Sequence, residues 1–220
     1  PNSIEFVVSS FAIWKLGATP QPVSYRLPKA ELQGIVDLAD TPLVVGARKK
    51  DLPERIVLET GFSPRQELSS DPLPEKIAKH WKAPTSGGST GRPKLIVSAT
   101  PAVFDIASPA ITDCPNDRAV LIPGPLYHNA PFSAAFEALL RGNHVVVMEK
   151  FDAEACLALI ERYSVDWTVM VPTMMHRIWR LGEGARAHYN LSSLRVLLHA
   201  AAACPLWLKE AWIEWLGPKR

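Results

Sequence analysis

The sequence has little that would tie it to a membrane, a nucleic acid or a disulfide framework. No apolar stretch approaches the roughly 20 residues that a membrane-spanning helix needs. Lysine and arginine number 24 against 22 aspartates and glutamates, and the net charge of +2 leaves no basic patch for a nucleic acid. The three cysteines, Cys114, Cys156 and Cys204, are odd in number and far apart. They favour reduced thiols and a reducing compartment, which we expect to be the cytoplasm.

Metal-binding patterns, internal repeats and low-complexity segments are also missing. The six histidines do not form H-x-x-x-H or Cys/His zinc spacings, so we expect no metal cluster built from protein ligands alone. Hydrophobic residues make up 47% of the chain, which is enough for a globular core. The 20 prolines fit a chain with many short turns.

Short apolar runs alternate with helical patterns along the chain. Strands are predicted at residues 42–45, 56–58, 119–122, 144–148, 166–171 and 195–199. Helices are predicted at residues 4–16, 28–38, 133–140, 152–163, 173–181 and 206–216. Continuous apolar strands between helices predict an α/β fold, with a parallel sheet flanked by helices on both faces. We expect residues 1–82 to hold part of a first α/β subdomain and a loop-rich link, and residues 83–220 a second subdomain.

One nine-residue stretch is the strongest candidate for ligand binding. Its glycine, hydroxyl and lysine residues are Ser86, Gly87, Gly88, Ser89, Thr90, Gly91 and Lys94. Glycines let a backbone approach a ligand closely, and successive N–H groups in such a loop bind anionic oxygens. Hydroxyls add donors or hold a metal ion, and lysine adds a positive charge. The stretch therefore predicts a loop for a nucleotide polyphosphate, with a simple surface linker as the alternative.

Two other loop types compete for the same residues. A Walker A loop requires Lys-Ser/Thr after its last glycine and opens into a helix, whereas Gly91 is followed by Arg92-Pro93. Residues 87–91 match the G-x-S-x-G nucleophile elbow literally, but an elbow needs a strand before it and a helix after it. Here a proline precedes the motif and an apolar β-type run follows it. A serine hydrolase with Ser89 as nucleophile is kept as an alternative.

Residues 86–94 resemble the phosphate loop of the adenylate-forming superfamily, [ST]-G-[ST]-T-G-x-P-K. The resemblance extends along essentially the whole chain. Residues 125–129 resemble the family's aromatic-His motif beside the acyl pocket, and residues 171–175 resemble its Val-Pro-x segment. Residues 194–203 lie where the family has a strand that ends in an adenine platform. The family's usual Gly and Pro are replaced there by Ala200 and Ala203.

The resemblance implies an AMP-forming acyl-CoA ligase, closest to ligases of bile acids or polycyclic carboxylates. It implies His128 as a catalytic residue at the junction of the acyl and CoA pockets. It implies nucleotide contacts from the phosphate loop and from His199, Ala200, Ala201 and Ala202. ATP, Mg²⁺ and coenzyme A are the implied co-substrates and cofactor. We therefore expect small-molecule partners, namely a bulky carboxylate, ATP and CoA; the sequence gives no indication of nucleic acid, a membrane span or an oligomeric state.

The family's later motifs, including a magnesium-binding Glu and a catalytic Lys, have no counterpart in these 220 residues. We therefore expect the chain to be an N-terminal fragment that is inactive alone and lacks the C-terminal catalytic domain. Within the family, an adenylation domain for peptide synthesis and a ligase restricted to the CoA half-reaction remain alternatives. A nucleotide sensor without catalytic activity is a third.

Overall fold

The computed structural model describes residues 1–86, 93–110 and 112–217. The chain forms two compact units. The N-terminal unit is Ile4–Val103, and the C-terminal unit combines Pro1–Ser3 with Phe104–Arg220. The subdomains predicted over residues 1–82 and 83–220 stay a prediction, since compact units need not coincide with them. Across the described ranges, no helix has the length and apolar character required to cross a membrane.

The N-terminal unit contains two helices, a parallel strand pair and an antiparallel hairpin. Their bounds are α1 Ile4–Lys15, α2 Lys29–Leu38, β1 Leu43–Val45, β2 Ile56–Leu58, β3 Thr85–Ser86 and β4 Lys94–Leu95. Strand β1 pairs with β2, and β3 pairs with β4. The predictions of α1, α2, β1 and β2 are confirmed to within one residue at each end, whereas the sequence did not predict the hairpin.

The C-terminal unit is a four-stranded parallel sheet with flanking helices. Its elements are β5 Ala119–Ile122, α3 Asn129–Leu140, β6 His144–Val147, α4 Ala153–Arg162, β7 Trp167–Met170, α5 Pro172–Trp179, α6 Glu183–Arg186, β8 Val196–His199 and α7 Leu206–Leu216. The strand order is β6-β5-β7-β8, and every pairing is parallel. The predicted α/β class and parallel sheet are confirmed.

Burial explains why the central strands are apolar without alternation. All four residues of β7 and three of the four in β5 are buried, as expected for strands with protein on both faces. Trp167 and Phe132 are fully buried, and the rings of Phe132 and Phe136 lie 4.5 Å apart. Complete burial of each such side chain contributes about 1.5–3 kcal/mol. Burial of the central strands β5 and β7 therefore stabilises the sheet that positions His128 and His199.

Helix starts follow local chemistry, with one correction to the sequence prediction. Asp152 caps α4 as predicted, since its carboxylate accepts hydrogen bonds from the N–H groups of Glu154 and Ala155 at 3.1 and 2.9 Å. Helix α3 begins at Asn129, four residues before the predicted start at residue 133. Pro131 does not block it, because proline is tolerated in a first turn whose N–H groups have no helical partner.

At the amino edge of the sheet, a buried side-chain amide connects the segments that precede β5 and β6. Asn143, which is 7% exposed, donates from Nδ2 to the carbonyl oxygens of Pro115 at 2.7 Å and Ala138 at 3.0 Å. Its Oδ1 accepts from the N–H of Arg118 at 2.9 Å. Because Asn143 precedes β6 and Arg118 precedes β5, these three hydrogen bonds fix the starts of two paired strands.

Candidate active site

The phosphate motif sits on the hairpin of the N-terminal unit. The Cα partners across the hairpin are Thr85 with Leu95 and Ser86 with Lys94. The first and last residues of the nine-residue motif are therefore direct cross-strand neighbours. The predicted contacts of Gly87, Gly88, Ser89, Thr90 and Gly91 lie outside the described residues and stay predictions.

The hairpin continues below its two strands as a ribbon with the same register. The N–H of Ile96 donates to the carbonyl of Pro84 at 2.8 Å, and the N–H of Ser98 donates to the carbonyl of Lys82 at 3.0 Å. An extended segment, not a helix, follows the motif. This geometry fits neither a Walker A loop nor a nucleophile elbow, because both open into a helix. The serine hydrolase alternative is not supported.

Tryptophan contacts anchor the base of this ribbon. Trp14 on α1 donates from Nε1 to the carbonyl oxygen of Trp81 at 2.7 Å, and the two indole rings stack with centroids 6.5 Å apart. The Nζ of Lys82 lies 3.9 Å from the centroid of the Trp81 ring. Burial lowers the pKa of Lys82 to about 8. The sequence analysis did not single out this lysine.

In the C-terminal unit, the connections after β5 and β7 meet at the carboxyl edge of the sheet. Strand β5 leads to β6 on one side, and β7 leads to β8 on the other. Adjacent strands whose connections diverge in this way leave a crevice that commonly binds ligands. A Cβ on Gly124, in the β5 connection, would lie 2.7 Å from Cγ of Pro131 and 3.8 Å from Cε of Met174, in the first turn of α5. The two connections are thus packed closely around this glycine.

His128 lies at the end of the β5 connection and is the N-cap residue of α3. Its N–H donates to the carbonyl of Pro125 at 3.0 Å, and its ring lies 4.5 Å from that of Tyr127. The residue keeps an exposed surface, but the protein around it lowers the pKa of the imidazole below its usual 6.5. The positive end of the α3 dipole also disfavours a cation there. Both effects favour the neutral imidazole, which can accept a hydrogen bond or a proton.

The predicted adenine platform lies at the carboxyl ends of the neighbouring strands β7 and β8. His199 is the last residue of β8, and the N–H of Ala200 donates to the carbonyl of Met170 at the end of β7 at 3.1 Å. His199 also lines a cavity of about 390 Å³ with Met175 and Trp212. Ala201 has a φ of +70°, a left-handed conformation that side chains with a Cβ disfavour. The four-alanine segment is thus strained at its second residue.

This strain predicts that Ala201→Gly stabilises the fold by about 0.5–1 kcal/mol, because glycine adopts positive φ without a steric penalty. Ala202 is also exposed and has no positive φ, so Ala202→Gly is the matched control. That variant should lose about 0.4–1 kcal/mol through the larger entropy of its unfolded chain. Chemical denaturation of both variants measures the difference, and a destabilised Ala201→Gly would contradict the argument.

Sequence reasoning also missed Asn2, which is 9% exposed and joins two connections at the carboxyl edge. Its Nδ2 donates to the carbonyl oxygens of Gly124 at 3.0 Å and Met148 at 2.8 Å, and its Oδ1 accepts from the N–H of Leu126 at 2.7 Å. Gly124 and Leu126 flank Pro125, the hydrogen-bond partner of His128. No local sequence pattern marks such a residue, because its partners lie 122 to 146 positions away.

Within residues 1–86, 93–110 and 112–217, no group of three His, Cys, Asp or Glu side chains could hold a metal ion. In the sequence, the phosphate motif offers hydroxyl groups instead. Such a set fits Mg²⁺ that arrives with a nucleotide, since Mg²⁺ prefers oxygen ligands and is commonly held through substrate phosphates with few protein ligands.

The model of the family described as "AMP-binding enzyme" matches residues 1–220. The chain belongs to this family. A 3-[(3aS,4S,7aS)-7a-methyl-1,5-dioxo-octahydro-1H-inden-4-yl]propanoyl:CoA ligase from Rhodococcus jostii (strain RHA1) is 34% identical to it, over 96% of this chain and 48% of the relative. Pyochelin synthase PchD from Pseudomonas aeruginosa (strain UCBPP-PA14) is 30% identical, over 90% of this chain and 41% of the relative.

A solved structure shows that the AMP-binding fold is shared. The amide bond synthetase McbA from Marinactinospora thermotolerans superposes with a TM-score of 0.80 at 23% identity, over 98% of this chain and 47% of that chain. The chain thus spans less than half the length of these three relatives. The resemblance inferred from the phosphate motif is confirmed at the level of the family and the fold.

Proposed function

We propose that the intact protein is an AMP-forming acyl-CoA ligase that activates a bulky carboxylic acid. The observation that carries the proposal is the hairpin that brings Ser86 opposite Lys94, in a chain that matches the AMP-binding family along its whole length. In the first half-reaction, the carboxylate attacks the α-phosphate of ATP and releases pyrophosphate. In the second, the thiol of CoA attacks the acyl-adenylate and releases AMP.

The phosphate motif is assigned to the leaving pyrophosphate. Backbone N–H groups of Gly87, Gly88 and Gly91, the hydroxyls of Ser86, Ser89 and Thr90, and the Lys94 ammonium supply donors to its oxygens. Donors fixed in advance at a developing anion stabilise the transition state more than the ground state. Mg²⁺ bound with ATP supplies further neutralisation of the phosphate charge. Residues 199–202, the predicted adenine platform, are assigned to binding the adenine ring.

His128 is assigned to orienting the reacting carboxylate as a neutral imidazole. Activity should therefore fall as the pH drops below about 6.5 and through the lowered pKa of His128, because protonation removes the acceptor. Unfolded protein binds this proton more tightly, so the stability of the fold decreases over the same window as the pH falls.

A pH profile of kcat/KM tests the role of His128. In His128→Gln, the acidic limb should disappear and the activity at pH 7 should decrease, whereas His188→Gln, a change at an exposed histidine of the same unit, should leave the profile intact. A His128→Gln profile identical to that of the wild type would assign His128 to structure alone.

Two observations bear on the substrate and on the reaction. The relative from Rhodococcus jostii acts on a bicyclic propanoyl group, which supports a bulky alicyclic acid. Ala200 and Ala203 stand where the family's adenine platform usually has Gly and Pro, which favours a second candidate, a ligase limited to the CoA half-reaction. The free thiols of Cys114, Cys156 and Cys204 support a reducing compartment, which we propose is the cytoplasm.

ATP–pyrophosphate exchange by the intact protein tests the proposal, with fatty, aromatic and polycyclic acids compared in parallel. Exchange with polycyclic or fatty acids alone is the expected result. If no acid supports exchange, a synthetic acyl-adenylate is offered with CoA. Thioester formation then identifies the CoA half-reaction, and failure of both assays overturns the ligase assignment.

A further inference from the structure

The amide of Asn2 makes three hydrogen bonds to backbone groups at the carboxyl edge of the sheet, the edge that also carries His128. An asparagine side chain has two N–H donors and a carbonyl acceptor, and here both kinds of group are engaged with backbone atoms. The Met148 carbonyl belongs to the connection after β6, and the other two partners belong to the connection after β5. Asn2 therefore ties the β5 connection to the neighbouring strand.

The hydrogen bonds of Asn2 act directly on the segment that contains His128. Asn2 binds Gly124 and Leu126, and the carbonyl between them, that of Pro125, accepts the N–H of His128. Leu126 is fully buried and anchors the same segment from its side chain. A shift of the backbone at Gly124 or Leu126 would consequently move the carbonyl that fixes the start of α3.

We propose that Asn2 is a positioning residue for His128, a role that rests on the proposed ligase function. It holds the β5 connection in the conformation in which the imidazole reaches the reacting carboxylate. The chemistry requires an amide. Aspartate would keep the acceptor for Leu126 but would turn an anionic oxygen toward two carbonyls, and an aliphatic side chain would leave all three backbone groups without a partner.

The same unit contains a matched control. Asn143 is also nine-tenths buried and also donates twice to backbone carbonyls and accepts once from a backbone N–H. It does so at the amino edge of the sheet, before β5 and β6, whereas Asn2 acts after them. Asn2→Ala and Asn143→Ala thus remove equivalent interactions from opposite ends of the same strand pair.

The experiment compares both variants with the wild type in the intact protein, at a temperature where all three are folded. We expect similar losses in melting temperature for the two variants. For Asn2→Ala, kcat of the acid-dependent exchange, or of thioester formation, should fall at least tenfold with little change in KM for ATP. For Asn143→Ala, kcat should change less than twofold. Should Asn2→Ala fail to fold, Asn2→Ser, which keeps a hydroxyl, takes its place.

Amide hydrogen exchange provides a readout that does not depend on the reaction. Faster exchange at Leu126 and His128 in the Asn2 variant, but not in Asn143→Ala, is expected. If the wild type catalyses neither half-reaction, the proposed function fails while this measurement still tests the hold on the β5 connection. If the Asn2 variant keeps wild-type kcat, or if both variants lose kcat equally, Asn2 has only a structural role and the proposal is overturned.

Discussion

Lys94→Ala in the intact protein is expected to slow ATP–pyrophosphate exchange by about 100-fold or more. Lys94 ends the phosphate motif, is exposed, and lies opposite Ser86 in the hairpin. In the proposed reaction, its ammonium meets the negative charge that develops on the leaving pyrophosphate. A single preorganised donor of this kind is worth about 3–4 kcal/mol of barrier, and each 1.36 kcal/mol is a tenfold change in rate.

Lys79→Ala is the control for this variant. Lys79 is an exposed lysine of the same unit, outside the motif, so its removal changes the net charge equally. Exchange by this variant should stay within about twofold of the wild type, since exposed substitutions away from a site have small effects. Unaltered exchange in Lys94→Ala would remove the lysine from the proposed site and weaken the assignment of the whole motif.

Gly124→Ala should have the second large effect, on both stability and activity. The added Cβ would meet the ring of Pro131 at 2.7 Å, closer than carbon atoms can approach. Proline's ring cannot rotate away, so the β5 connection or the first turn of α3 must shift. Overpacking of this kind costs about 1–3 kcal/mol of the free energy of unfolding. Because the shift occurs between Asn2 and His128, we also expect slower adenylation.

Gly34→Ala separates this clash from a general effect of removing glycine. Gly34 lies inside α2, and an added Cβ there would meet nothing within 4 Å. Alanine should stabilise that helix by about 0.5–1 kcal/mol. Chemical denaturation followed by tryptophan fluorescence measures both variants, and a Gly124→Ala protein as stable as the wild type would contradict the close packing at the carboxyl edge.

Local chemistry accounts for the parts of the fold that the sequence predicts well. The apolar runs of β5 and β7 and the Asp152 cap depend on neighbours within a few residues, and each is confirmed. The predicted start of α3 at residue 133 is wrong, since the helix begins before Pro131, which a first turn accepts. The two-residue strands β3 and β4 carry too few side chains for a periodic pattern.

The candidate site is predicted only in part, because some of its contacts are local in sequence and others are not. The order of motifs places His128 and His199 at the carboxyl edge, because parallel strands end on one side of a sheet. Asn2 contributes there through partners that no short sequence window contains. Likewise, the positive φ of Ala201 was not predicted, since alanine carries no signal for a left-handed conformation.

The hydrogen bond from Asn2 to Met148 has a consequence for synthesis on the ribosome. It joins residues 146 positions apart, and the whole of Ile4–Val103 is inserted between Asn2 and the rest of its unit. At about 5–20 residues per second, the partner of Asn2 emerges roughly 7 to 30 seconds after Asn2 itself. The segment Ile4–Val103 can fold in that interval, whereas the hydrogen bonds of Asn2 cannot form until residues 124–148 have emerged, so the carboxyl edge of the sheet is completed late.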